Sequence, residues 1–479
     1  MSDTIIVWFR RDLRLHDNAA LSKAREEGAQ IVPVYIFAPE EEEPWQPGAA
    51  SRWWLHHSLE SLGRGLRRLQ SHLLVFRGDS LSVLMMLQQR TGASAVYWNR
   101  LYDPATLARD TRVKTALRTI GIRSRSFPGY LVREPWEVMT GGGTPYMVFT
   151  PYARASRRLG DPGPPLAGPG SMNGAGSAVR DDGIDSLRLL PRVRWDTGFS
   201  DHWRVGESAA WRRVESFIES GAVGYEAARD RPGAEGISRL SPHLHFGEIS
   251  PRSLWHAVLH GTGSMGRADA AEPYLRQLLW RDFAHQLLYH FPHITERNFK
   301  PAFDAFPWQD DSAVAGAWRK GATGIPLVDA GMRELWRTGF MHNRVRMITA
   351  SFLTKNAAIH WRSGARWFWD TLVDANLANN TMGWQWVAGS GPDAAPYFRI
   401  FNPVTQGQRF DPGGEYVRRW IPEIAALPDR YIHNPSTAPR DVLSKAGVRP
   451  GSNYPDPVLD LKQTRLRALE AYRRRVAKA

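Results

Sequence analysis

The sequence predicts an N-terminal doubly wound parallel α/β domain followed by a C-terminal all-helical domain. Three observations carry that prediction. The first 130 residues alternate short apolar runs with amphipathic ones, the pattern of buried parallel strands joined by crossover helices. A stretch rich in glycine, proline and serine, GDPGPPLAGPGSMNGAGSAVRDDG, interrupts the chain between about residues 159 and 195. Beyond residue 200 strand-like alternation fades and helical periodicity takes over. A chain of 479 residues exceeds one hydrophobic core. The expected division is therefore 1–130 as the α/β domain, 131–199 as an interdomain linker or long loop, and 200–479 as the helical domain.

In chain order, IIVWF (5–9), IVPVYIF (31–37), LLVFRG (73–78) and AVYWN (95–99) read as buried strands. SRWWLHHSLESLGRGLRRLQ reads as a helix with Ser51 as its N-cap. No GxGxxG follows the first strand and no Walker A pattern occurs anywhere, so ordinary dinucleotide and P-loop sites are unsupported. The run Glu40–Glu43 reads as a solvated loop, and the adjacent His56 and His57 as a wet helix face near the domain seam. AAWRRVESFIES, EPYLRQLLWRDFAHQLLYHF, IPLVDAGMRELWRTG and RVRMITASFLTKNAA are helix-patterned. His243 and His245 are spaced for chelation but lack a third ligand nearby, so no metal site is expected. The final QTRLRALEAYRRRVAKA is an amphipathic helix whose cationic last turns complement the helix dipole.

Composition narrows the function classes. With 42% hydrophobic and 23% charged residues the chain is ordinary for a globular protein. No apolar run reaches the roughly 18 residues of a membrane span. MSDTIIVWFRRD passes straight into a strand without a signal peptide, and the cytoplasm is the expected compartment. The absence of cysteine excludes disulfides, cysteine-ligated zinc and cysteine-held iron–sulfur clusters. A formal net charge of +14 favours a polyanionic partner, nucleic acid first. The 20 tryptophans suit both core packing and stacking on exposed bases.

The most informative stretch is Asp374–Pro403, DANLANNTMGWQWVAGSGPDAAPYFRIFNP. It brings together the amides of Asn376, Asn379, Asn380, Gln385 and Asn402 with Trp384 and Trp386. An apolar pocket with a few convergent polar groups is the usual form of a cofactor site. In a helix, two residues two apart diverge by about 200°, so the two indoles face different surroundings. This stretch resembles the flavin-binding core of the DNA photolyase and cryptochrome family. TGIPLVDAGMRELWRTGFMHNRVRMITASFL (Thr323–Leu353) is similar to that family's most specific signature, and VWFRRDLRLHDN extends the resemblance over nearly the whole chain.

The resemblance implies a two-domain flavoprotein that binds FAD and UV-damaged DNA and splits cyclobutane pyrimidine dimers with light. It implies that Ser238, Arg239, Leu240 and Ser241 surround the pyrophosphate with Tyr225 close by. Arg281 and Arg346 then stand beside the flavin and its phosphates, and Asp374 and Asn376 beside the isoalloxazine and ribityl region. Asn380 stands at the position facing flavin N5. Trp384, Trp361 and Trp308 fall on the family's electron path. Trp280, Asn343, Met347 and Trp386 match lesion contacts, the first and second of these also lying along the cofactor, and Arg229, Arg344 and Arg399 match the phosphate rim. An antenna chromophore, folate or deazaflavin, is implied for the N-terminal domain, with Asp103 near the folate-binding acid. Two departures stand out. Gln277 replaces a glutamate usual in cyclobutane-dimer enzymes, and Asn376 replaces an aspartate. Glutamine at 277 is usual in (6-4) photolyases and animal cryptochromes, yet Asn343 occupies the substrate position where those proteins carry histidine. A cryptochrome-like photoreceptor is the alternative, made less favourable by the lack of a long tail past the last helix. A monomer is expected.

Overall fold

The computed structural model describes residues 3–174, 179–394 and 398–476. Five parallel strands form the N-terminal sheet: β1 (Thr4–Phe9), β2 (Gln30–Phe37), β3 (Leu74–Arg77), β4 (Ala95–Asn99) and β5 (Arg123–Phe127), in the order β3-β2-β1-β4-β5. The register pairs Ile5 with Ile31 on one side and with Ala95 on the other. Helices α1 (Ala19–Glu26), α2 (Ala49–Arg68), α3 (Ser80–Thr91) and α4 (Pro104–Thr119) connect the strands. Strand period two divides β1 between two layers. Ile5, Val7 and Phe9 pack with Leu21 of α1 and with Trp54, Leu59 and Leu62 of α2, whereas Ile6 and Trp8 pack with Leu84 of α3 and Val113 of α4. This is the doubly wound three-layer arrangement expected from the alternation.

Three local readings need correction. α2 begins at Ala49, not after Ser51: Gly48 is the N-cap, and the Ala49 amide donates to Asp370 Oδ1 at 2.8 Å. Ser51 is buried inside the helix. Gly48 is required for a packing reason, because a Cβ there would lie 2.2 Å from the carbonyl oxygen of Trp369. The Glu40–Glu43 run is not simply solvated, since Glu41 accepts from the amide of Ser80 and Glu42 pairs with Arg11 at 2.8 Å. His56 is not on a wet face; it is 7% exposed.

The segment from 131 to 199 contains α5 (Phe149–Arg158), whose Phe149 and Tyr152 are buried in the helical core. Further along, Met172 and Leu187 join the α/β core. Beyond this segment the described residues form no named strand. The helices that build the site are α6 (Glu272–His290), α7 (Pro326–Thr338), α8 (Asn343–Ser351), α9 (Trp361–Thr371) and α10 (Leu377–Ala388). α8 runs into one π-helical turn, Phe352–Asn356. α11 (Leu461–Arg475) is capped by Asp460 and ends on Arg473, Arg474 and Arg475. Among the described residues no helix is long and apolar enough to cross a membrane.

The two parts meet through buried polar groups as well as apolar ones. Arg14, 1% exposed, donates to the carbonyls of Asp17, Gly129 and Gly247. Gly247 has φ +65°, and a Cβ on it would lie 2.2 Å from the Arg11 carbonyl, so only glycine allows the close approach.

Candidate flavin and DNA site

The turn from Gly236 to Ser241 places its groups by an unusual backbone. Arg239 has φ +52°, in the left-handed region that non-glycine residues adopt at a cost. On one side of it Ser238 accepts from the phenol of Tyr274 at 3.0 Å; Tyr225 packs edge-on to Tyr274, and Leu240 is buried. On the other side Ser241 donates to Asp374 Oδ2 at 2.6 Å. Arg346, on α8, donates to both Asp374 oxygens at 3.0 and 2.8 Å and to the Met341 carbonyl at 2.7 Å. The guanidinium groups of Arg239 and Arg346 lie over one ring, Phe340, at 5.5 and 5.1 Å. Nearby Glu334 is pushed up by burial and accepts from the Tyr416 phenol and the His342 amide. Burial pushes the His342 imidazole down to about 4. Two cations, two hydroxyls and a carboxylate thus converge around a turn of strained backbone.

The N-terminus of α10 supplies the next group. Asn376 is the N-cap, accepting from the Asn379 amide at 3.1 Å. Its own Nδ2 lies 3.1 Å from the Tyr130 phenol and 3.2 Å from His285 Nε2. Arg281, also buried, donates to the carbonyls of Tyr130 and Leu244 at 2.6 and 3.3 Å and covers the Tyr130 ring at 4.3 Å. Burial, reinforced by Arg281 and Arg11, drives His245 and His285 well below the ordinary histidine range. The amide at 376 therefore faces a phenol and a neutral imidazole, partners it can satisfy without carrying charge. One turn on, the half-buried Asn380 donates to the Ala365 carbonyl of α9 at 3.0 Å.

The three tryptophans run from core to surface. Trp384 is buried, edge-on to Phe368 at 4.9 Å and to Trp318 at 6.2 Å. Its indole occupies the space beside Gly364, where a Cβ would lie 2.1 Å from the ring. Trp361, one turn before Gly364, is fully buried and donates to Asn298 Oδ1 at 2.8 Å. The His360 ring lies 5.6 Å from Trp361 and 4.9 Å from the half-buried Trp308. His360 is a neighbouring ring that sequence reading did not single out.

A second aromatic wall lies on α6. Trp280 is stacked flat on Phe149, with centroids 3.6 Å apart and planes 9° apart, and Arg276 covers the same phenylalanine at 5.1 Å. Phe149 was read as part of the linker; the aromatic run TPYMVFTPY after three glycines was the available signal. Gln277, half-buried on the same helix, donates to the Pro273 carbonyl at 3.0 Å. Trp386 is half-buried and donates to the Asp393 carbonyl at 3.0 Å. Asn343, exposed at the start of α8, reaches Met347 Sδ at 4.0 Å. Arg344 pairs with Asp230 at 2.7 Å and covers Phe410 at 4.4 Å; Arg229 covers Tyr225 at 5.7 Å; Arg399 is exposed. In the α/β domain Asp103 stands at the N-cap position of α4 without a side-chain capping bond and pairs with Arg11. His243, edge-on to Trp54, bonds Glu248 at 2.5 Å, an ordinary buried ring rather than an open chelate.

Comparison with known proteins identifies the family. Residues 5–169 match the model of DNA photolyase, and residues 274–474 match that of the FAD binding domain of DNA photolyase. The chain is 46% identical over 469 residues to a deoxyribodipyrimidine photo-lyase of Agrobacterium fabrum, covering 98% of this chain and 97% of that protein. The chain belongs to the DNA photolyase and cryptochrome family. It is also 39% identical to cryptochrome-1 of Arabidopsis thaliana, over 97% of this chain and 70% of that protein. The solved class III photolyase of Agrobacterium tumefaciens superposes with a TM-score of 0.96 at 46% identity, covering 100% of this chain and 98% of that one. FAD, the family's cofactor, fits the residues present: guanidinium and hydroxyl groups for its phosphates, a carboxylate for its polar chain, and amides on α10 for its ring. The buried Nδ1 atoms of His245 and His285, which have no partner among the described residues, add polar capacity at the same seam.

Proposed function

We propose that this family member is a light-driven DNA-repair flavoprotein that splits cyclobutane pyrimidine dimers. The observation that carries this reading is the aromatic wall of Trp280, held flat by Phe149, with Trp386, Asn343 and Met347 as the other matched lesion contacts. When bound, reduced FAD supplies a light-driven electron to the dimer and receives it back, so no net redox change occurs. The chain's own part is binding and orientation. Ser238, Arg239, Ser241 and Arg346 hold the phosphates, Asp374 and Asn376 fix the ribityl side, and Asn380 keeps a neutral amide at the flavin edge. Trp280 and Trp386 clamp the flipped pyrimidine pair while Gln277 and Asn343 hold its polar edges. Arg229, Arg344 and Arg399 receive the backbone phosphates. Trp308, Trp361 and Trp384 form the oxidisable path from the surface inward. The protein acts as a monomer.

A second reading, a cryptochrome-like photoreceptor with little repair, is favoured by Gln277, an amide that cannot share a proton with the dimer. The deciding experiment is blue-light repair of a defined thymine-dimer oligonucleotide by the reduced, FAD-loaded protein, with a dark control and a (6-4) substrate in parallel. Loss of the cyclobutane dimer only in light is the expected result, and Gln277→Glu should raise its yield. Repair of the (6-4) lesion alone overturns the substrate assignment. Repair of neither, with flavin photoreduction intact, supports the photoreceptor reading instead.

A further inference from the structure

A cluster outside the candidate flavin site has the chemistry of a metal centre. On α2, residues 56, 57 and 60 fall within an arc of about 100° on one helix face. His56 Nε2 lies 3.6 Å from Glu60 Oε1, and His57 Nδ1 lies 3.2 Å from Glu60 Oε2. One donor atom from each of the three residues lies within 4.8 Å of the others. A tetrahedral zinc-class ion at about 2.1 Å from its ligands spaces them about 3.4 Å apart, a value bracketed by the two measured separations. Among the described residues no other group of three histidine or carboxylate side chains comes this close together.

The surroundings hold these ligands in place. The His57 ring is packed edge-on against Trp53 at 4.6 Å and the His56 ring against His57 at 5.1 Å, while Trp53 itself is buried against Phe199. The carboxylate of Glu60 adds negative charge that a dication needs. His57 and Glu60 are 33% and 42% exposed, so an ion can enter from solvent and keep a water in its fourth position.

We propose that His56, His57 and Glu60 form a site for a divalent transition-metal ion of the zinc class, with two imidazole nitrogens, one carboxylate and one open position. Nitrogen and oxygen donors without thiolate suit zinc, nickel or copper over magnesium or calcium. Binding to the helical form stabilises it by mass action, so the ion acts as a staple along α2.

The test uses the full-length, FAD-loaded protein stripped with chelator and titrated with zinc chloride by calorimetry. One zinc per chain is expected to bind at the cluster, with a rise in melting temperature. His57→Ala and Glu60→Gln should each remove that binding event and leave the flavin absorption spectrum unchanged. His256→Ala is the control: His256 and His260 form a second histidine pair, with rings 5.6 Å apart, but have no third ligand among the described residues. It should leave the event intact. Cobalt(II) added to the unmutated protein gives an independent reading through the visible bands of a four-coordinate site. Absence of zinc binding, absence of those cobalt bands, or binding that survives His57→Ala with Glu60→Gln overturns the proposal.

Discussion

Some side chains named from sequence touch one another, as Ser241 and Arg346 do on Asp374, but their neighbours decide what each can do. Trp361 shows this best. Its indole is fully buried, donates to Asn298 and shares the neighbouring His360 ring with Trp308. Trp361→Phe keeps an aromatic ring of similar size and removes only the nitrogen and its easily oxidised π-system. Steady-state absorption of the FAD-loaded variant under blue light should show severely slowed photoreduction, while the lost hydrogen bond costs about 1 kcal/mol of stability. Unchanged photoreduction would sink the proposed path. Only the family resemblance made Trp308, Trp361 and Trp384 nameable. The His360 ring beside two of them was not legible, because a lone histidine in a tryptophan-rich sequence carries no pattern of its own. Asn376 is similar: the departure from aspartate was visible, but the neutral imidazole of His285 that suits it lies 91 residues away in sequence.

At the scale of elements, glycines decide how closely helices approach. Gly364 of α9 leaves room for the Trp384 indole of α10, since a Cβ would lie 2.1 Å from it. Gly364→Ala should destabilise the protein by about 1–3 kcal/mol through overpacking. Gly383→Ala, on α10 itself with no atom within 4 Å of the added methyl, should be neutral or gain up to about 1 kcal/mol from helix propensity. Thermal or denaturant unfolding of the two variants separates packing from propensity; equal effects would refute the packing account. Four of the five strands and the site helices α6, α7 and α8 were legible because their apolar periodicity is strong. β5 was not, because Arg123–Phe127 reads RSRSF and takes its strand geometry from pairing with β4 rather than from its own apolar content. The start of α2 was misread for a related reason. Its cap is set by docking against α9 through Gly48 and Asp370, and not by a local hydroxyl.

For the molecule as a whole, buried neutral histidines set the acid limit. His342 is held down to about 4 in the folded protein against 6.5 for the free side chain. Between those values the unfolded chain binds the extra proton, so stability is intact above pH 6.5 and falls as pH drops toward 4. This one group contributes about 3 kcal/mol over that window. His342 also caps α8 through Nδ1, which accepts from the Arg344 amide. His342→Asn keeps a capping group and removes the titration, so melting temperature against pH should become flatter between 4 and 6.5. An unaltered profile would exclude His342 as a contributor. The sheet has one more consequence, which concerns many molecules rather than one. Parallel sheets end in two unpaired edges that invite another chain to add itself. At β3 the segment around Asp181 and Asp182 occupies the edge, exchanging hydrogen bonds with Val75 and Arg77. At β5 the edge carries Arg123 and Arg125, each half-exposed. Both arginines pair with carboxylates, Asp3 and Glu27, so a second copy meeting β5 meets a charged, ion-paired edge; concentrated solutions should resist strand-mediated aggregation, and do so least at high salt.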